Sequence, residues 1–209
     1  MPVRATPRRD QLFDELVALL LAEGFAHLTL DDIAARLRCS KRTLYALAGS
    51  KEQLVRAAVV RFFRLATERV EQAIKSAEDA ADRVGGYLRA VAEQLAPASG
   101  RFFDDVAAFP PADEVYRRNT RFAAARVREM IDEGVASGAF RDVHAAFVAD
   151  VVAGVMVRIQ QRDLRATTGL SDAEAYANLA ELLLHGLGVP GRLASPTSNV
   201  TAGDPDAAR

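Results

Sequence analysis

Hydroxyl and basic side chains are concentrated at the start of one short predicted helix. Ser40 is followed by Lys41, Arg42 and Thr43, and Tyr45 comes five residues after Ser40. A serine that caps a helix leaves the first turn exposed, with backbone N–H groups that favour phosphate oxygens. Cationic, hydroxyl and aromatic groups in this arrangement suit contact with DNA phosphates and base edges. These residues therefore predict nucleic-acid binding.

Two neighbouring helices are predicted to position this one. Thr29 is a good N-cap with Asp32 in the capping-box position, and it starts a short helix with one apolar stripe. Ser50, with Gln53 three residues later, caps a third helix. A short helix, a tight turn and a second helix with a basic start form a helix-turn-helix, whose second helix enters the major groove.

The prediction assigns a contact to each exposed polar side chain of this stretch. The expected groove contacts are Lys41, Arg42, Thr43 and Tyr45. The expected phosphate contacts are Thr29, Ser40 and Lys51.

A resemblance to the tetracycline-repressor (TetR) family is carried by residues 29–54, TLDDIAARLRCSKRTLYALAGSKEQL. The shared pattern is T-x-x-D-I-A, a turn, S-K-x-T-L-Y, a short link and S-K-E-x-L. The sequence departs from it at Arg38 and Arg42, where the family often has Gly, and at Leu47 and Ala48, where an aromatic pair is usual. The resemblance implies a dimeric repressor that binds a pseudo-palindromic operator and is released by a small molecule.

Charge is distributed unevenly along the 209 residues, although the net charge is −1. Residues 1–64 contain 11 Lys and Arg and 7 Asp and Glu, a balance of +4, which leaves −5 for the rest. A basic N-terminal part followed by an acidic remainder suits a DNA-binding domain attached to a domain that does not bind DNA. Chance asymmetry in a neutral protein is the alternative.

The cysteine content and the apolar runs predict a cytoplasmic protein. Cys39 is the only cysteine, which excludes an intramolecular disulfide, and a small buried hydrophobe is the expected role. The first ten residues have no apolar signal-peptide core, and no uncharged apolar run reaches 18 residues. We therefore expect no contact with a membrane.

The hydrophobic pattern stays helical along the chain and predicts an all-α fold. We expect a helix-turn-helix domain at residues 1–50, a helical ligand-binding and dimerisation domain at 51–190, and a disordered tail at 191–209. An arm with Arg4, Arg8 and Arg9 precedes the first helix; it either reaches a minor groove or is a disordered tail.

The last two predicted helices, at residues 143–167 and 171–187, are apolar on more than one face. A helix of this kind must be packed on both sides. One domain can do this alone, or the helices can pair with those of a second copy in a four-helix bundle. The TetR resemblance implies the second arrangement.

The middle helices carry many aromatic residues and a few polar ones at spacings that point inward. A mostly apolar cavity with sparse polar groups is typical of small-molecule sites, whereas ordinary core packing is the alternative. The candidate pocket residues are Tyr87, Phe102, Phe103, Phe109, Phe122, Arg126, Met130, Met156 and Gln160.

No catalytic or metal-binding motif stands out in the sequence. The three histidines lie far apart, and the G-x-G-x-x-G match at residues 186–191 ends a helix instead of following a strand. We therefore expect neither a cofactor nor an enzyme, although an enzyme is kept as a third reading. The alternative to a regulator is a helical small-molecule-binding protein whose DNA-binding head is degenerate, with Arg38 and Ala48 as its evidence.

Overall fold

The computed structural model describes residues 7–187, and every regular element in this range is an α-helix. The helices are α1 Pro7–Glu23, α2 Leu30–Arg36, α3 Lys41–Leu47, α4 Lys51–Ala73, α5 Ala80–Leu95, α6 Gly100–Ala108, α7 Pro110–Ala136, α8 Ala145–Gln160, α9 Asp163–Thr168 and α10 Asp172–Leu187. None of these helices is long and apolar enough to cross a membrane. The predicted tail at 191–209 and Arg4 of the predicted arm lie outside the described residues.

Side-chain caps start the three helices that follow α1. Thr29 and Asp32 form a complete capping box at the start of α2, and Ser40 Oγ accepts from the N–H of Thr43 at 3.1 Å. Ser50 caps α4, but Gln53 accepts from the N–H of Gly49 instead of that of Ser50. The predicted boundaries of α2, α3 and α4 follow from these local hydrogen bonds.

Helix α4 joins the head, α1 to α3, to the body, α5 to α10. It packs on α1 of the head and on α5 and α7 of the body. Leu54 and Val55 are buried near the head, and Phe63 and Val70 are buried towards the body. One continuous helix of 23 residues therefore belongs to both parts of the core.

The body is built from two closely packed helix pairs, α5 with α10 and α7 with α8. Gly85 permits the first approach, because a Cβ there would lie 2.7 Å from Cδ1 of Leu184. Helices α4 and α7 also contact α5, so the body surrounds one apolar interior.

The predicted helix over residues 143–167 is wrong, because it breaks at Arg162. Helix α8 ends at Gln160, Arg162 adopts a left-handed conformation with φ +70°, and α9 begins at Asp163. The Arg162 guanidinium binds Asp172 and Asp104 and lies over the ring of Phe103. These distant partners offset the cost of a non-glycine residue at positive φ, and local periodicity does not reveal them.

Helices α8 and α10 each bury one apolar face and expose another. Val152 and Leu183 are buried within the protomer, whereas Phe147, Val151 and Leu182 are exposed, Phe147 by 67% and Leu182 by 71%. Helix α10 also contacts α8. The protomer therefore leaves large apolar side chains on the outside of the last long helices.

Candidate DNA-binding head and ligand cavity

Helix α3 presents the predicted groove contacts to solvent. Leu44 is buried and fixes the helix on the head core, and the side chains around it point outward. The exposed residues are Lys41, Arg42, Thr43 and Tyr45, the last by 52%. A short helix that is anchored by Leu44 and exposes basic, hydroxyl and aromatic side chains can enter a groove without unfolding the head.

Lys41 is paired with an acidic residue of the preceding helix. Its Nζ lies 2.6 Å from Oδ2 of Asp31. The hydrogen bond to Asp31 raises the pKa of Lys41, against the opposing effect of desolvation. Asp31 therefore competes with DNA phosphate for this ammonium group.

The three predicted phosphate contacts each have a structural role in the free head. Thr29 and Ser40 cap α2 and α3. Lys51 Nζ donates to the carbonyl of Ala26 at 3.2 Å. Thr29 and Ser40 remain exposed and Lys51 is half-buried, so each of the three is at least partly accessible to solvent.

Three arginines border the same surface. Arg8, Arg9 and Arg38 line a groove of about 670 Å³ together with Ser40 and Thr43. Arg38 stands in the turn between α2 and α3 with φ +48°, so the left-handed turn forms despite the usual preference for glycine. The sequence pattern marks Arg38 only as a departure at the turn and does not indicate a role for its charge.

A cavity of about 350 Å³ opens between α4, α5, α7 and α10. Its walls are mainly aromatic and aliphatic, with polar groups towards the opening. It is lined by Phe63, Ala66, Thr67, Val70, Glu71, Tyr87, Val91, Gln94, Leu95, Tyr116, Asn119, Thr120, Phe122, Ala123, Ala125, Arg126, Glu129 and Tyr176. A concave apolar space with a few convergent polar groups is the usual form of a small-molecule site.

The charged residues of the cavity lie at its opening and are paired with one another. Arg126 contacts Glu71 Oε1 at 3.3 Å and Glu129 Oε2 at 3.1 Å. Glu129 is exposed, and Glu71 and Arg126 are half-buried. This triad leaves a surplus of one negative charge at the mouth.

The inner wall carries hydroxyl groups. Thr120 is 3% exposed, and no group within residues 7–187 hydrogen-bonds to its Oγ1. Burial raises the pKa of Tyr87 and of Tyr176, so both phenols stay protonated. Tyr116 is buried as well, and its hydroxyl donates to Asp172 Oδ2 at 3.3 Å.

Asp172 connects this wall to the break at Arg162. Burial is the main cause that raises the pKa of Asp172, although the charge of Arg162 acts in the opposite direction. Asp172 binds Arg162, which also contacts Asp104 of α6 at 3.2 Å. A polar chain thus runs from a cavity tyrosine to α6.

Helix α6 is in turn tied to the head. Asp105 Oδ2 accepts from the N–H groups of Phe25 at 2.5 Å and Ala26 at 2.9 Å. The N–H of Ser99, which caps α6, donates to the carbonyl of Leu21 at 2.8 Å. Helix α6 therefore links the body to the head in addition to α4.

The structure brings three of the nine candidate pocket residues to this cavity, namely Tyr87, Phe122 and Arg126. The other six lie elsewhere. Phe102 and Phe103 form an aromatic cluster with Phe62, and Phe109 packs against Phe25. Met130 and Met156 are buried in the core, and the side-chain amide of Gln160 donates to Asp113. The lining residues of α4 and Tyr176 of α10 were missed, because helical spacing separates inside from outside but not core from cavity.

Within residues 7–187 no cluster of three or more His, Cys, Asp and Glu side chains could hold a metal ion.

The head matches a known domain. Residues 12–58 match the family model described as bacterial regulatory proteins, tetR family. A comparison with curated proteins finds no match.

Solved structures share the fold over most of the chain. PfmR, a TetR family regulator from Thermus thermophilus, is 20% identical with a TM-score of 0.61, over 86% of this chain and 100% of that one. A transcriptional regulator from Saccharomonospora viridis in complex with choline is 18% identical with a TM-score of 0.68, over 87% and 98%. The ketosteroid regulator KstR2 of Mycobacterium tuberculosis is 18% identical with a TM-score of 0.58, over 89% and 97%.

A helix-turn-helix head on a helical body with a cavity defines a DNA-binding transcriptional regulator. Residues 12–58 therefore match the DNA-binding domain of the TetR family, and the described chain shares the fold of solved TetR regulators.

Proposed function

We propose that the protein is a homodimeric repressor that leaves its operator when a small molecule fills the cavity between α4, α5, α7 and α10. The proposal rests mainly on helix α4, which begins shortly after α3 and lines that cavity with residues of its second half. Two heads would bind half-sites about one helical turn, roughly 34–36 Å, apart. A regulator bound to chromosomal DNA would work in the cytoplasm.

The exposed apolar faces of α8 and α10 support dimerisation through these helices. Phe147, Val151 and Leu182 are the large apolar side chains that a second copy would cover. An isologous contact would place α8 and α10 of both copies in one bundle.

Release of the operator on ligand binding requires coupling between the cavity and the head. Phe63, Ala66 and Val70 of α4 face the cavity, and Asp105 of α6 holds the start of the helix-turn-helix. A ligand that moves either helix would change the separation of the two heads, with a coupling free energy of about 1–3 kcal/mol. Choline in the Saccharomonospora viridis structure shows that a protein of this fold holds a small molecule.

The rival reading, a ligand-binding protein with a degenerate head, rests on Arg38 and Ala48. Arg38 adopts the left-handed conformation that the turn requires, and Ala48 is half-buried against the head core after α3. These observations favour an intact head over a degenerate one.

Fluorescence anisotropy with DNA from the protein's own promoter region tests the proposal. The wild-type chain should bind one fragment tightly and with a strong salt dependence. The double variant Lys41→Ala/Tyr45→Ala should stay folded and lose most of this affinity. Absence of sequence-selective binding by the wild-type protein would favour the rival reading.

A further inference from the structure

Two residues other than glycine adopt a positive φ in the described part of the chain, Arg38 at +48° and Arg162 at +70°. This conformation is costly for a residue that carries a Cβ. The guanidinium of Arg162 offsets the cost through Asp172, Asp104 and the ring of Phe103. The side chain of Arg38 is exposed and forms neither an ion pair nor a hydrogen bond with any described residue. The described chain therefore contains no side-chain contact that compensates for the strained turn at Arg38.

Arg38 lines a groove with an excess of positive charge. Arg8 and Arg9, in the first turn of α1, line the same groove, and Glu15 is the acidic residue among its lining side chains. Three arginines against one glutamate leave two positive charges unbalanced. Cations in the first turn of a helix are also unfavourable, because the N-terminus of a helix carries a positive partial charge. The groove therefore favours an anion from outside the chain.

Helix α3 determines which anion this groove would meet. Ser40 and Thr43, at the start of α3, line the groove as well. An α-helix about 10–12 Å across fills a major groove about 12 Å wide. Side chains that flank such a helix therefore lie against the sugar–phosphate strand that borders the major groove. Arg38, two residues before Ser40, is in this flanking position.

We propose that Arg38 holds a phosphate of the operator strand that runs along this groove, between α1 and the turn from α2 to α3. Its planar guanidinium can bind two phosphate oxygens at once. Lys41 must leave Asp31 to reach a phosphate, whereas Arg38 has no ion pair to break among the described residues. The inference rests on the proposed function for the operator, but a phosphate contact does not require a selective sequence.

Fluorescence anisotropy of the full chain at several salt concentrations tests the contact with two duplexes of equal length. One duplex is a fragment of the protein's own promoter region, and the other has a random sequence. Arg38→Gln should weaken binding to both by roughly five- to tenfold at about 0.1 M salt, and lower the slope of log K against log salt by about 0.9. The loss is shared because every sequence presents the same phosphates. An unchanged slope, or a loss on the promoter fragment alone, overturns the proposal.

Two further substitutions separate the phosphate contact from the role of residue 38 in the turn. Glycine adopts a positive φ without strain, so Arg38→Gly should raise the melting temperature by about 2–4 °C. The same variant should lose as much DNA affinity as Arg38→Gln. Arg38→Lys keeps the charge and should keep most of the salt slope. Wild-type affinity in Arg38→Gly, or a slope in Arg38→Lys as low as in Arg38→Gln, overturns the proposal.

Arg36→Gln is the matched control. Arg36 lies on α2, two residues before Arg38, pairs with Glu23 and does not line the groove. This variant removes the same charge from the head, so it should change DNA affinity by less than about twofold and leave the salt slope unchanged. Equal losses in Arg36→Gln and Arg38→Gln would be an effect of net charge alone and would overturn the assignment.

The random duplex separates this inference from the proposed function. If the wild-type protein binds both duplexes equally and Arg38→Gln weakens both, the phosphate contact stands and the repressor does not. If the promoter fragment is bound selectively and no Arg38 variant changes DNA binding, the repressor stands and the contact is wrong.

Discussion

Lys41 enters the DNA-binding surface already paired with Asp31, 2.6 Å away. Replacing Asp31 by Asn frees the ammonium group and removes a negative charge beside the phosphates. We expect Asp31→Asn to tighten operator binding by about two- to fivefold, since exposed ion pairs contribute about 0–1 kcal/mol. Lys41→Ala should weaken binding and reduce the slope of log K against log salt by about 1.

Anisotropy titrations at several salt concentrations measure both effects. Arg128→Ala is a charge-changing control, because Arg128 lies on α7 and pairs with Asp132 at the surface. The docking of α3 would be refuted by equal salt slopes in Lys41→Ala and the wild-type protein.

Asp32 makes the head sensitive to acid. The hydroxyl and the backbone N–H of Thr29 donate to its carboxylate and lower the pKa of Asp32 below its ordinary value of 3.8. A lowered pKa in the folded state stabilises the fold above the ordinary value, and this contribution is lost as pH falls through the lowered pKa. Asp32→Asn should therefore reduce stability at neutral pH and flatten its loss in acid.

Urea unfolding at a series of decreasing pH values measures how the free energy of unfolding depends on pH. Thr29→Val removes the donor hydroxyl from the other side of the same capping box, so it should flatten the acid dependence as well. If either variant kept the wild-type dependence of the free energy of unfolding on pH, protonation of Asp32 would not contribute to the loss of stability in acid.

Asp105 of helix α6 holds the start of the helix-turn-helix with its carboxylate. Asp105→Ala leaves the N–H groups of Phe25 and Ala26 without their acceptor. We expect a loss of about 1.5–3 kcal/mol in the free energy of unfolding, the usual range for hydrogen bonds to a charged group. Asp104→Ala on the same helix removes an exposed ion pair with Arg162 and should cost about 1 kcal/mol or less. Urea unfolding compares the two, and similar losses would contradict this role of Asp105.

The cavity can be filled from α7. Ala123 lines it and is buried, whereas Ala124 does not line it. Ala123→Phe should imitate a bound ligand and weaken operator binding by about tenfold, which corresponds to a coupling of about 1.4 kcal/mol. Anisotropy and sedimentation test whether affinity falls while the dimer persists. Full operator affinity in a folded Ala123→Phe dimer would mean that this cavity is not coupled to the head.

Local hydrogen bonds made some elements predictable and distant contacts made others unpredictable. Thr29 and Ser40 cap their helices with groups three residues away, so the sequence shows both partners together. The break at Arg162 depends on Asp172 and Asp104, and the position of Tyr176 in the cavity depends on how α10 packs against α5. Neither the partners of Arg162 nor the packing of α10 can be inferred from the sequence of a single helix.

The protomer determines which apolar residues can serve a dimer. Val152 and Leu183 lie on these apolar helices but are buried inside one chain, so Val152→Glu or Leu183→Glu should unfold it. Phe147→Glu and Leu182→Glu place the charge on exposed positions instead. We expect these two variants to be folded monomers with weak operator binding, because two heads no longer act together.

Sedimentation at micromolar concentration, with circular dichroism for the fold, distinguishes the cases. A wild-type monomer, or a dimer that survives both exposed substitutions, would refute assembly through α8 and α10.

Gly24 sets a condition on exchanging heads between regulators of this architecture. It ends α1 with φ +76°, and a Cβ there would lie 2.5 Å from Oδ2 of Asp105. A transplanted head with any other residue at this position would strain its own backbone and displace the carboxylate that holds it. A chimera built from this body therefore needs a donor head with glycine at this position, followed by two free N–H groups. Operator specificity can be exchanged as a module only among heads that meet this requirement.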